Sequence, residues 1–195
     1  MDDLGNCGST VNLIYICIEN EVMVIYSANV GDSRNVLIRK SESVRLSYDH
    51  KASDKSEQKR VRVEGGIIVK NRLFGILAVT RALADFELKD SEIEGLSNIP
   101  YVSRTELKPD DDKYIIMGSD GVWDVISDDY IKKISEEFDH CELNPINNTL
   151  NGDTERIEIK NENVKESLDL ASVIVSKAID FGSTDNISCI VIKLG

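Results

Sequence analysis

Three aspartate-bearing turns stand beside apolar runs in this chain. They are Asn29-Val30-Gly31-Asp32-Ser33-Arg34, Gly118-Ser119-Asp120-Gly121-Val122-Trp123-Asp124 and Ser183-Thr184-Asp185-Asn186. A strand end is rigid and the turn after it is open to solvent. Carboxylates placed at several such ends can therefore converge on one hard cation, and Mg2+ or Mn2+ takes oxygen ligands while often keeping waters. Glycine beside Asp32 and Asp120 lets the backbone turn sharply there. The candidate metal-facing set is Asp32, Asp120, Asp124 and Asp185. Each Gly-Asp or Asp-Gly pair is also an ordinary turn former, and spacing leaves both readings open. Trp123, the single tryptophan, reads as a packing residue. His50 and His140 lie in polar stretches and form no Ser-His-Asp or Cys-His arrangement. No Gly-rich phosphate loop ending in lysine is present, and no residue is assigned a catalytic role.

These turns need strands to hold them. Thr10–Ile18 and Val22–Ala28 are apolar runs separated by a short turn and predict an antiparallel pair. Further strands are predicted at Asn35–Arg39, Val44–Leu46, Ile67–Val69, Phe74–Val79, Val102–Leu107, Tyr114–Gly118 and Ile187–Leu194. Helices are predicted at Ser53–Glu64, capped by Ser53 or Asp54, at Asp128–Phe138, and at Val164–Phe181. In the last of these, Leu168, Ala171, Val175, Ala178 and Ile179 recur at helical spacing. Asp90–Pro100 reads as a loop, and Asp139–Asn163 as a polar insertion or long loop. Strands outnumber helices without alternating with them, which predicts an α+β fold with antiparallel sheets and helices outside them.

Composition sets the frame. The chain has 195 residues, 41% of them hydrophobic and 30% charged, enough to bury one sizeable core. The net charge of -12 disfavours binding to nucleic acid or to an anionic membrane. Cys7, Cys17, Cys141 and Cys189 show no zinc spacing. Cys17 and Cys189 lie in apolar runs and are expected to be small buried hydrophobes. With no leader and no apolar run long enough to span a bilayer, the cytoplasm is the expected compartment, the nucleus remaining open.

The strings themselves resemble a known family. GNCGSTVNLIYI, SANVGDSRNVLIRK, LSYDHKASDKSEQKRVRVEGG, RLFGILAVTRALADFELK, YIIMGSDGVWDVISDD and GSTDNISCIVIKL are similar, in order, to the motifs of the metal-dependent serine/threonine protein phosphatase 2C family. The likeness runs from Gly5 to Leu194, only Asp139–Asn163 falling outside it. It implies an α-β-β-α sandwich of two antiparallel sheets flanked by helices. It implies two Mn2+ or Mg2+ ions and a metal-activated water that hydrolyses phosphoserine or phosphothreonine in proteins. Carried over, Asp120 and Asp185 would ligate one catalytic ion. Asp32 and Asp124, with Asp120, would form a third-metal site. Asn186 would orient the Asp185 loop. Arg81 and Asp85 would support the rim of the site, with Asp90–Pro100 near a substrate-influencing flap.

The resemblance also implies departures. The family's N-terminal segment, with an acidic ligand, a phosphate-binding arginine and the DGHGG motif, has no match in these residues. The expectation is an N-terminally truncated domain over 1–195. Loss of the bridging carboxylate predicts weak or absent activity of this chain alone, and loss of sheet strands predicts exposed apolar edges. Ala84 replaces a family glycine and fits only if its φ is negative; Thr80 replaces a serine and keeps the hydroxyl. Two functions follow as alternatives: protein phosphatase, or a catalytically inactive pseudophosphatase acting as an interaction or regulatory module. The expected partners are a phosphoprotein substrate or a regulatory protein. A partner chain or a second copy could supply strands through the exposed sheet.

Overall fold

The structure, a computed structural model, describes residues 7–85, 94–143 and 169–194, with 141–143 described by backbone alone. Two antiparallel sheets face each other. One has three strands in the order β2 (Val11–Glu19), β3 (Val22–Val30), β9 (Tyr101–Glu106). The other has four, in the order β11 (Cys189–Lys193), β10 (Asp112–Gly118), β4 (Arg34–Arg39), β5 (Ser43–Arg45). Two small pairs complete the strands: β1 (Gly8–Ser9) with β8 (Leu83–Ala84), and β6 (Ile68–Val69) with β7 (Arg72–Leu73). Four helices are described: α1 (Lys55–Val63), α2 (Asp120–Trp123), α3 (Asp128–Leu143) and α4 (Leu170–Asp180).

Strand periodicity builds the two cores. All six residues of β4 are buried, because both faces of that strand are covered. Val36 and Ile38 point one way with Tyr114 and Ile116 of β10, against Val122, Trp123, Ile131, Ile134 and Ile174 of the helices. Leu37 and Ile115 point the other way, into the space between the sheets, and meet Ile25 of β3. Residues i and i+2 share a face, so each central strand serves both layers.

The β2–β3 hairpin closes in two residues, Asn20 and Glu21, both at positive φ (48° and 68°). That is the turn whose twist matches antiparallel strands. α1 is capped by Asp54, whose carboxylate accepts the Ser56 and Glu57 N–H groups.

The flanks of the sandwich differ. On one, the Ser103 hydroxyl of β9 donates to the Leu46 carbonyl just past β5 (2.6 Å). On the other, β2 and β11 are sheet edges, and Ile14 packs into the same cluster as Ile192 and Leu194. That flank leaves Tyr15, Ile16, Ile18 and Ile190 exposed. No helix among the described residues is long and apolar enough to cross a membrane.

Several expectations change. Phe74–Val79 is not a strand: Phe74 and Gly75 take positive φ (54° and 74°) and Ile76 and Leu77 donate back to the Leu73 carbonyl, which makes a turn. α3 continues through Asp139 to Leu143, and Asp139 is anchored there by the Lys113 ammonium (2.6 Å) and the Tyr114 hydroxyl (2.5 Å). α4 starts at Leu170, capped by Asp169. Its buried stripe is Leu170, Ile174 and Ala178, and Ile179 is exposed. Cys17 and Cys189 are only half-buried, because each lies on an edge strand. The remainder of the polar stretch (144–163), the residues 164–168 expected in the last helix, and 86–93 lie outside the described residues.

Ala84 takes φ 61°, the left-handed region, and Asp85 follows at 50°. The family glycine is therefore replaced where a Cβ is strained. Ala84→Gly is expected to stabilise the fold by about 0.5–1 kcal/mol, the relief of strain being partly offset by unfolded-chain entropy. Urea midpoints of the two proteins check this; a lower midpoint for the glycine variant contradicts it.

Candidate functional site

The sheet registers bring the aspartate turns to one end. β10 pairs with β4 as Gly118↔Arg34 and with β11 as Gly118↔Cys189. The Asp32 turn therefore precedes β4, the Asp120 turn follows β10, and the Asp185 turn precedes β11, all at the same edge. Asp120 does not sit in an open loop. It is the first residue of α2, and Asp124 caps the other end of that turn.

Hydrogen bonds staple the second turn to the third. Ser119 N–H donates to the Ser188 carbonyl (3.0 Å) and the Ser188 N–H donates to Ser119 Oγ (3.1 Å). The Ser183 hydroxyl donates to the Gly121 carbonyl (2.7 Å). A Cβ on Gly121 would lie 2.4 Å from the Asn186 carbonyl oxygen, so only glycine permits this approach. Asp185 Oδ1 accepts the Asn186 N–H (2.7 Å). The first turn is held by Gly31, at φ 98°, whose Cβ would collide with Thr10.

Arg34 braces the base of the cluster. It forks onto Asp49 (3.1 and 2.5 Å), reaches Asp128 at the start of α3 (2.7 Å), and stacks on Trp123 at 5.0 Å. Trp123 is buried and donates its indole N–H to the Gly118 carbonyl (2.9 Å). Lys51 is ion-paired with Asp124.

The electrostatics mark these aspartates as neighbours. Burial, then the charge of Asp120, pushes the Asp32 carboxyl up to about 6, with Asp124 adding and Lys51 opposing. Asp120 is raised by burial, then by Asp185 and Asp124. Hard oxygen donors of this kind suit Mg2+ or Mn2+. Yet among the described residues no three His, Cys, Asp or Glu side chains lie close enough together to hold a metal ion. The donor chemistry matches a hard cation and the enclosure does not.

Two functional features escaped the sequence. His50, read as part of a polar turn, is fully buried. Its Nδ1 accepts the Gly31 N–H (3.1 Å), and burial pulls its pKa down to about 4. Glu57 is buried and held by Arg81 (2.6 Å), Arg60 (2.9 Å) and the Thr80 hydroxyl (2.6 Å). Burial acts to raise its pKa, but these partners, Arg81 foremost, hold it at about 2. Arg81 is thus a brace for Glu57 that also donates to the Ile99 carbonyl (2.8 Å). The signal was a glutamate at the i−4 position from Val61 on the buried stripe of α1. A cavity of about 750 Å³ opens at the opposite end of the four-stranded sheet, near Lys40, Lys113 and Lys193. Asp32, Asp120, Asp124 and Asp185 do not line it.

Two facing antiparallel sheets, flanked by helices and ending in aspartate turns, form the sandwich of 2C-type phosphatases. A sex-determining protein from C. elegans superposes with a TM-score of 0.69 at 25% identity, over 96% of this chain and 40% of that one. A phosphatase from Toxoplasma gondii shares the fold at 0.64 and 24% identity, over 87% and 47%. Sequence comparison extends the likeness. "Protein phosphatase 2C homolog 1" of Saccharomyces cerevisiae is 41% identical over 170 residues, 87% of this chain and 50% of the yeast protein. Its Schizosaccharomyces pombe namesake is 37% identical over 190 residues, 96% and 46%. The family model described as Protein phosphatase 2C matches residues 2–187, and the chain belongs to that family. It spans about half the length of these curated relatives.

The raised Asp32 carboxyl has a stability consequence. Its unfolded value is 3.8 and its folded value about 6. The folded state thus holds a proton that the unfolded state releases, and stability from this group falls as pH rises between those values. Asp32→Asn is expected to be more stable than the native chain at pH 7.5, by on the order of 2–3 kcal/mol, and nearly equal to it at pH 4. Urea unfolding at the two pH values measures this, and a gap independent of pH counts against it.

Proposed function

We propose that these residues form the aspartate-bearing arm of a 2C-type serine/threonine phosphatase site, and that on their own they are a non-catalytic, partner-binding module. One observation carries both halves. Four aspartates from three turns share one electrostatic field at one sheet end, yet no three ligating side chains among the described residues gather around a point. The family connection supports Mn2+ or Mg2+ as the cation faced by Asp32, Asp120, Asp124 and Asp185, and a phosphoprotein as the substrate of a complete site. The cytoplasm is the compartment we propose, and the chain reads as one partial domain.

The test is release of phosphate from a phosphothreonine peptide with Mn2+, comparing the chain with Asp120→Asn. The expected result is equal, chelator-insensitive release from both. Release that EDTA abolishes, Mn2+ restores and Asp120→Asn lacks makes the chain a phosphatase in its own right.

The open flank supports the partner-binding part. β2 carries nine residues with one charge, Glu19, and a long, mostly apolar edge strand invites strand addition. A second copy, pairing β2 with β2, would complete the edge. Sedimentation velocity is expected to show concentration-dependent association that Ile18→Lys removes. A folded protein that stays monomeric at every concentration excludes self-association.

A further inference from the structure

Lys51 lies among the aspartates. Its ammonium is ion-paired with Asp124, and its charge also reaches Asp32 and Asp120. The root of this side chain is fixed from several sides. The preceding residue, His50, is buried; its N–H donates to the Gly31 carbonyl (3.0 Å) and its Nδ1 accepts the Gly31 N–H (3.1 Å). The His50 carbonyl accepts the Thr80 N–H (2.9 Å), and the Ala52 N–H donates to the Ala78 carbonyl (2.7 Å). Lys51 itself bridges Val79 in antiparallel register. The backbone that carries the ammonium is therefore locked to the turn that carries Asp32.

Arg34 occupies Asp49 and Asp128, so the guanidinium below the cluster is committed to other carboxylates. Arg81 and Arg60 are committed to Glu57. Among the described residues, Lys51 is thus the side-chain cation that pairs with the candidate set. This is the point at which the donors match a hard divalent ion and their placement does not: Asp124 is engaged by a lysine.

The geometry assigns Lys51 the role of a tethered counter-cation, which occupies Asp124 and competes with a divalent ion for the aspartate cluster. The inference rests on the reading of these aspartates as facing a divalent ion. His50 positions the competitor by clamping its backbone to the Gly31–Asp32 turn. An ion that approaches Asp124 meets the ammonium already paired with Oδ1 and its opposing charge, so Lys51 raises the concentration at which the cluster fills. The chemistry recognised is that of a small hard divalent cation.

The experiment is Mn2+ binding to the purified 195-residue chain, read by loss of the free-ion electron paramagnetic resonance signal. It compares the native chain with Lys51→Met, Lys51→Arg and Lys133→Gln, all checked for folding by circular dichroism. Lys133→Gln removes one positive charge from exposed helix surface away from the aspartates and controls for net charge. Lys51→Met is expected to bind Mn2+ on the order of tenfold more tightly, the effect of losing one close opposite charge near the surface. Lys51→Arg and Lys133→Gln are expected to bind like the native chain, and Asp120→Asn in the Lys51→Met background is expected to erase the gain. If the native chain binds Mn2+ and Lys51→Met binds it equally, the competition is overturned while the metal-facing reading stands. An equal gain in Lys133→Gln overturns the local role in favour of bulk charge. If no protein in the set binds Mn2+, the metal-facing reading fails and takes the inference with it.

Discussion

Like charges held side by side at one end of one sheet are the constraint around which this half of the molecule is built. Asp32, Asp120, Asp124 and Asp185 would move apart if their backbones were free. They are prevented by features that are not themselves acidic: the shared Gly118 register of three strands, the serine staples, and the glycine at 121 that admits the Asn186 carbonyl. Arg34 works from below, tying β4 to the Asp49 segment and to the start of α3. A chain optimised for stability alone would spread these carboxylates out. Keeping Asp32 and Asp120 partly desolvated within the field of Asp124 and Asp185 is the physical mark of a site.

Glu57 shows the contrast. It is as deeply buried as Asp32, but two guanidinium groups and a hydroxyl satisfy it, so it stays ionised into strong acid. Asp32 is buried among like charges, and its proton is retained to about 6. Two carboxylates in one small fold, separated by their neighbours in opposite directions, divide scaffold from candidate chemistry. Loss of one partner from the Glu57 group would leave a buried charge uncompensated, a costly outcome in any protein interior.

Much of the architecture was legible in the residues. The apolar runs of β3, β4 and β10 declared themselves because each buries at least one face, and β2 was legible from its apolar run although it is only partly covered. The aspartates were found because glycine and strand ends flank them. Legibility failed where tertiary contacts override local pattern. Phe74–Val79 has strand-like composition, but the backbone reverses at Phe74 and Gly75. Ala84 bends through a conformation its side chain opposes, which no single-residue preference foretells. His50 looked like a turn residue because the surface that buries it is supplied from distant segments, and Lys51 drew no notice because the carboxylate that pairs with it comes from the end of α2. Spacing reports what is near along the chain, and the cluster is assembled from segments that only the sheet registers bring together.

The unequal covering of the two sheets carries one last consequence. β4 and β10 are sealed between helices on one side and the facing sheet on the other. In the three-stranded sheet, Leu13, Tyr15 and Val102 meet solvent on the outer face. Fewer apolar contacts must be broken to detach β2 and β3 than to release β4. Amide protons of the hairpin should therefore exchange through local fraying, while those of the central pair wait for global unfolding. The turn that carries Asp32 joins a strand of one regime, β3, to a strand of the other, β4, so the candidate site stands on the boundary between them.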